Sequence, residues 1–220
     1  MTESVVISGG EGDIAQGLRK ELEKNGYRVF APGRQHLDVK HEWDARHYME
    51  EHKPDILINN AGVFYPMDVS GGKSSLWVET LFVNLIGAYY CSRHAIRSGC
   101  TRVINIGASS ALDARYKGFS GYNASKAGLV ALTKSLSLEG VLSVCVSPGR
   151  TDTRMRESMA PGEDKRLCLT VGELAREVVF VLSRIGQLNG CEMVIKKIGG
   201  GGICVYHRMT WVDWGERWIH

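Results

Sequence analysis

Short β-rich apolar runs alternate with longer helical patterns along this chain, and that order constrains its fold more than any other feature. The strand candidates are Val5–Ser8, Arg28–Ala31, His36–Val39, Asp55–Asn59, Arg102–Ile106, Leu142–Val146 and Cys191–Ile195. They are apolar runs bounded by Gly, Pro or Asn, as strands buried on both faces should be. Helical patterns fall near Asp13–Lys24, Trp43–His52, Ser75–Ser98, Tyr122–Leu138 and Gly172–Arg184. Strand and helix in alternation predict an α/β class protein, a doubly wound parallel sheet in a single domain. In such sheets ligands bind beyond the carboxyl ends of the strands, so informative residues are expected just after them.

Composition narrows the class. The 220 residues suit one domain, and 44% hydrophobic with 23% charged residues is ordinary for a soluble protein. A net charge of +3 argues for neither nucleic acid nor an acidic membrane as partner. The six cysteines form no C-x-x-C pair, which points to reduced thiols used as small hydrophobes. The N-terminus reads as a strand rather than a signal peptide, and no stretch reaches transmembrane length. A cytoplasmic protein is expected. No H-E-x-x-H or similar ligand spacing is present, so no metal is expected.

The first strand runs into "VVISGGEGDIAQGL", in which Gly10, Gly12 and Ala15 fit a G-x-G-x-x-G/A fingerprint. Glycine permits close backbone approach, and the following helix offers free N–H groups to a diphosphate. A plain strand–turn–helix corner is the competing reading. The acidic residue that commonly binds a ribose 2′-hydroxyl is missing; Arg34 stands in its place and can accommodate a 2′-phosphate, which favours NADP over NAD. "GGKSS" at 71–75 resembles the end of a phosphate-binding P-loop, but Met67 occupies the position of its first glycine.

In "GYNASKAGL" Tyr122 precedes Lys126 by one helical turn, which places phenol and ammonium on one face. From those residues alone a solvated surface pair competes with a catalytic one. The surrounding motifs "ILINNAGVF", "SLWVETLFVNLIGAYY", "RVINIGASSAL" and "VCVSPGRTDTRM" occur in order, and with it they resemble the short-chain dehydrogenase/reductase family from about residue 4 to 200. The resemblance implies a Rossmann-type fold and an NAD(P)-dependent oxidoreductase. It implies Asn84, Ser109, Tyr122 and Lys126 as the catalytic set. It also implies a cofactor site built from Ser8, Gly9, Gly10, Gly12, Asp13 and Ile14, from Arg34, Asp38 and Val39, and from Asn60, Ala61 and Gly62. Tyr122, Lys126, Pro148, Gly149, Thr151 and Thr153 complete that site. Counting back from Tyr122 by the family spacing reaches Ser109, whereas counting forward from Asn105 reaches Ala108; Ser110 is the alternative.

The chain departs from the family's T-G-x-x-x-G-x-G. Asp13 replaces the second glycine, which puts a negative charge near the expected phosphates, and Ala15 replaces the third. There is room for one helix fewer between the second strand and "ILINN", and the region after Thr153 is short. In the implied chemistry Lys126 lowers the pKa of the Tyr122 phenol, Ser109 hydrogen-bonds the carbonyl oxygen, and Asn84 holds a water beside Lys126. The substrate is expected to be a small carbonyl or alcohol compound held near Ala111–Phe119 and Arg154–Leu169. Phe119, Met155 and Met159 suggest an apolar lining, and Arg115, Lys117, Arg154 and Arg156 are candidates to meet an anionic group. Two other readings remain: a cofactor-binding regulatory or scaffold protein without turnover, and a sugar-nucleotide epimerase or dehydratase. A homodimer or homotetramer is implied through the long helices. Residues 201–220 read as a separate tail whose Trp211, Trp214 and Trp218 pack on the domain or a second subunit, or form a substrate lid.

Overall fold

Period-two burial builds the centre of the molecule. In β1 (Ser4–Ile7), Val5 and Ile7 face one side of the sheet and Val6 the other. In β3 (Ile56–Asn59), Ile56 and Ile58 join the first side and Leu57 the second. A strand apolar on both faces needs helices on both faces. The computed structural model describes residues 2–113, 116–198 and 201–208. It places α1 (Asp13–Lys24) and α7 (Val171–Ser183) on the first face, and α2 (Glu42–His52), α4 (Gly87–Arg97) and α5 (Ser120–Leu138) on the second.

The remaining strands are β2 (Arg28–Phe30), β4 (Arg102–Ile106), β5 (Leu142–Pro148), β6 (Glu192–Lys197) and β7 (Ile203–Arg208). The sheet order is β2-β1-β3-β4-β5-β6-β7, parallel except for β7, which runs antiparallel to β6. The connections leave β1 in opposite directions towards β2 and β3, so a crevice opens at their carboxyl ends.

Four features depart from the sequence reading. His36–Val39 is not a strand: the His36 and Leu37 N–H groups donate to the Gly33 carbonyl at 3.0 and 3.1 Å, so the backbone closes on itself as a turn. Its alternating Leu37 and Val39 are still buried against the second face, which explains the strand-like pattern. The long helical pattern from residue 75 to 98 is interrupted: α3 (Ser74–Leu81) passes through a π-helical turn, Phe82–Ile86, before α4. A short helix, α6 (Arg154–Met159), and a 3-10 turn, Lys165–Leu167, occupy the segment after β5. The first residues of the expected tail form β7 and extend the sheet; Trp211, Trp214 and Trp218 lie outside the described residues.

A buried polar network ties the middle of the sheet to the helices beneath the crevice. Asn59 and Asn105 are paired across β3 and β4, and the Asn59 amide donates to Asn105 Oδ1 at 2.8 Å and to Ser92 Oγ of α4 at 2.9 Å. The Asn105 amide donates to Thr133 Oγ1 of α5 at 2.9 Å. Removing one member of such a network strands the others away from water, which costs about 1–3 kcal/mol. Asn105→Ala is therefore expected to lower the unfolding free energy in urea by that amount. A loss no larger than that of an exposed-site substitution would contradict the assignment.

Candidate active site

The crevice at the carboxyl ends of β1, β3, β4 and β5 is a cleft of about 530 Å³. Its floor is the glycine turn. Gly9 has φ of +69°, and a Cβ there would stand 2.8 Å from Ala61 Cα. Both facts require glycine. Ser8 locks this turn to the next strand end: its buried hydroxyl accepts the Asn60 and Ala61 N–H groups, each at 3.1 Å. The Asn60 amide answers by donating to the Ser8 and Gly9 carbonyls at 3.1 and 3.3 Å. Helix α1 then begins after Gly12 without a side-chain cap, and Gly12, Asp13 and Ile14 line the cleft. Unfilled helix N–H groups beside a glycine turn fit the diphosphate of a dinucleotide.

Most of the expected cofactor residues line this one cleft: Gly9, Gly12, Asp13, Ile14, Arg34, Asp38, Val39, Asn60, Ala61, Gly62, Tyr122, Lys126, Pro148, Gly149, Thr151 and Thr153. Ser8 and Gly10 do not. Ser8 is the knot beneath the turn. Gly10 sits behind it, where its N–H donates to Pro32 O at 2.8 Å and a Cβ would overlap the Ala31 carbonyl.

The charge of Asp13 is met within the fold. Its Oδ2 accepts the Arg154 backbone N–H at 2.7 Å and its Oδ1 the Arg154 Nε at 2.8 Å, while the same guanidinium donates to Glu11 O at 2.7 Å. The glycine turn is thereby joined to the start of α6 across the cleft. Beside the glycine turn, after β2, Arg34 Nε pairs with Asp38 Oδ2 at 3.0 Å, and the largely exposed Arg34 side chain lines the cleft. Burial works against the Asp38 charge, but the Lys40 N–H and the Arg34 guanidinium hold its carboxyl below the usual range. Spacing and motif left Glu11, Lys40, Tyr65, Glu79 and Arg150 unassigned, although they also line the cleft. The pairing of Lys40 with Glu79 at 3.5 Å arises only in three dimensions.

Helix α5 carries Tyr122 and Lys126 into the same space. Lys126 is buried, and its Nζ donates to Ile106 O at the end of β4 at 2.7 Å. The ammonium lies 5.9 Å from the centroid of the Tyr122 ring. Asn84, in the π-helical turn, is buried; its Oδ1 accepts the Val63 N–H at 2.7 Å and its amide donates to Val63 O and Ser125 Oγ at 3.0 Å each. It clamps the segment after Gly62 to α5. Both Ser109 and Ser110 line the cleft. The Ser109 N–H donates to Pro148 O at 2.9 Å, and the Ser110 hydroxyl donates to Asn123 Oδ1 at 3.3 Å.

The electrostatics differ from the sequence expectation. Burial pushes the Tyr122 phenol up to about 12, and the cation that opposes this is Arg156, not Lys126. Phe64 and Phe119 enclose the phenol with ring centroids 5.5 and 6.1 Å away. Burial lowers Lys126 to about 8. The i, i+4 spacing is realised, but desolvation outweighs the mutual attraction that the spacing suggested.

Comparison with known proteins shows the family and the fold. A family model of short chain dehydrogenases matches residues 35–164. A 3-oxoacyl-[acyl-carrier-protein] reductase of Buchnera aphidicola is 34% identical over 155 residues, 67% of this chain and 63% of that protein. An uncharacterized oxidoreductase of Bacillus subtilis is 31% identical over 80% of this chain and 69% of its own length. A short chain dehydrogenase from Burkholderia cenocepacia, solved in complex with NADP, superposes with a TM-score of 0.77 at 24% identity, covering 90% of this chain and 97% of that one. The chain belongs to the short-chain dehydrogenase/reductase family, a family of NAD(P)-dependent oxidoreductases.

The shifted groups predict a pH signature. Lys126 holds its proton less tightly folded than unfolded. Between about pH 8 and its ordinary 10.5 the unfolded chain binds more protons, and stability rises with pH. Tyr122 acts oppositely above pH 10, where the folded chain keeps the phenolic proton up to about 12 and stability falls as pH rises. In urea titrations the native protein is expected to gain stability relative to Lys126→Met between pH 8 and 10. Parallel profiles would contradict the buried ammonium.

Proposed function

We propose that this protein reduces a small carbonyl compound with NADPH, with Tyr122 as the proton donor. The observation that carries the reading is the convergence of Tyr122, Lys126, Ser109 and Arg34 with the glycine turn on one cleft. When bound, the dinucleotide supplies the hydride. The chain's own residues supply position and the proton. The uncapped start of α1 and the Gly9 turn receive the diphosphate, and Arg34 meets the ribose 2′-phosphate.

A phenol held near 12 stays protonated at neutral pH, which suits a general acid. Tyr122 delivers this proton to the substrate oxygen as negative charge develops there. The hydroxyl of Ser109 donates a hydrogen bond to the same oxygen. Lys126, still largely charged below about pH 8, offers a cation beside the site and a route for reprotonating the phenol. The same phenol is the acid in reduction and, as the phenolate, the base in the reverse reaction. A homodimer or homotetramer through α4 and α5 belongs to the same reading, supported by exposed Phe82, Tyr89 and Leu138.

A second reading, cofactor binding without turnover, draws on Asp13 in the glycine motif. Arg154 offsets that charge, which weakens the argument.

Tyr122→Phe is expected to keep coenzyme affinity and to lose about 10²–10⁴-fold in turnover, the usual scale of general acid catalysis. Stopped-flow or steady-state assays at the nicotinamide absorbance read this directly, and a Phe variant with near-native turnover would remove Tyr122 from the mechanism. Arg34→Ala is expected to weaken NADPH more than NADH in fluorescence titrations. Equal losses for the two would end the case for NADP.

A further inference from the structure

Behind the cleft wall next to Tyr122 stands a charge cluster that hydride transfer does not use. Glu163 grips Arg156 in a fork, accepting from Nε at 2.7 Å and from a terminal nitrogen at 2.6 Å. The same carboxylate lies 3.3 Å from Arg150 Nε. Two guanidiniums thus share one carboxylate, and the cluster keeps a net positive charge. Arg150 and Arg156 line the cleft, whereas Glu163 does not. Both arginines thus touch the cleft, and the carboxylate that holds them does not.

The neighbouring cations are matched by carboxylates of their own, and the one carboxylate left over, Glu157, lies outside the cleft lining. Arg154 is matched by Asp13, Lys165 by Asp152 at 3.0 Å, and Arg166 by Asp164 at 2.8 Å. Glu157 turns outward and accepts the Gly162 N–H at 3.4 Å. A guanidinium has more N–H donors than one carboxylate can take, so Arg156 keeps donors beyond the Glu163 fork. Tyr116 lies within its electrostatic reach. From there the wall is aromatic: Tyr116 to Phe119 is 5.1 Å and Phe119 to Tyr122 is 6.1 Å between ring centroids. Met155 and Met159 complete an apolar lining. A fixed cation thus stands at one end of an apolar wall and the proton donor at the other.

We propose that the substrate is an oxo acid, a carbonyl compound whose own carboxylate is received by Arg156, with Arg150 adding charge, while its apolar body lies along Tyr116 and Phe119. The proposal rests on the reductase reading and names its substrate class. Glu163 is the positioning residue: it holds the guanidinium plane in place before substrate arrives, so little ordering remains to be done on binding. Of the basic residues considered from the sequence, Arg154 is committed to Asp13, Lys117 is exposed and outside the cleft wall, and Arg115 lies outside the described residues.

The test separates binding from turnover. Calorimetric titration of the NADP-loaded protein with 4-phenylbutyrate and with 4-phenylbutyramide compares a carboxylate with its neutral isostere. The acid is expected to bind about tenfold tighter, the scale of a charge-assisted hydrogen bond. Arg156→Gln is expected to abolish that preference and leave amide binding unchanged, and Arg156→Lys to retain part of it. Because Arg156→Gln leaves Glu163 without its fork partner, the Arg156→Gln/Glu163→Gln double variant serves as the neutral control for folding and should behave the same way.

Equal binding of acid and amide by the native protein, or an equal loss of both in the variants, overturns the proposal. Reduction of 4-oxo-4-phenylbutanoate and its methyl ester is followed in parallel. Turnover of the ester without any preference for the acid sinks the oxo-acid inference alone. Acid-selective binding without turnover of either compound sinks the reductase reading alone.

Discussion

The structure depends on burying one ammonium at the carboxyl end of a parallel sheet. Lys126 reaches from α5 to the Ile106 carbonyl at 2.7 Å, and that bond fixes where the helix stands relative to β4. A buried charge is tolerated only when its surroundings are polar and well ordered. Around it, side-chain hydrogen bonds order the second face. Asn105 ties β4 to α5 through Thr133, and Asn84 ties Val63 to α5 through Ser125. A hypothetical Cβ at Gly62 would sit 3.6 Å from the Lys126 Nζ and 3.4 Å from the Asn84 Oδ1.

The same arrangement explains the division of labour between the two ends of the cleft. At one end the glycine turn, knotted to the end of β3 by Ser8 and Asn60, leads into the uncapped start of α1. At the other, Phe64 and Phe119 flank Tyr122, and burial raises the affinity of its phenol for the proton. Between them Arg154 and Asp13 join the turn to the segment after β5, so the two ends are mechanically linked. Asp13, which looked like a defect in the glycine motif, is one half of an ion pair.

What was legible in the sequence was whatever a local pattern determines. Asp13–Lys24 and Arg102–Ile106 are found with the same bounds, because a clean amphipathic period and an apolar run flanked by turn residues each specify an element. His36–Val39 was misread because alternating burial of Leu37 and Val39 mimics a strand, while the Gly33 turn that consumes the backbone bonds leaves no such trace. The site residues were legible as a family pattern on strand ends and the helices that follow. Their electrostatics were not. Arg154 and Asp13 are 141 positions apart in the chain, and the packing of Phe64 against Tyr122 is a tertiary fact. Spacing shows that two groups share a face. It does not show how much water they retain.

The most direct measurement is the titration of Lys126 itself. Carbon-13 resonances of side-chain-labelled lysine, with Lys126 assigned from its absence in a Lys126→Met spectrum, report its ionisation in the intact protein. The account predicts a midpoint near 8. A midpoint at the ordinary lysine value would mean that the ammonium is solvated, and the site as described here would not exist.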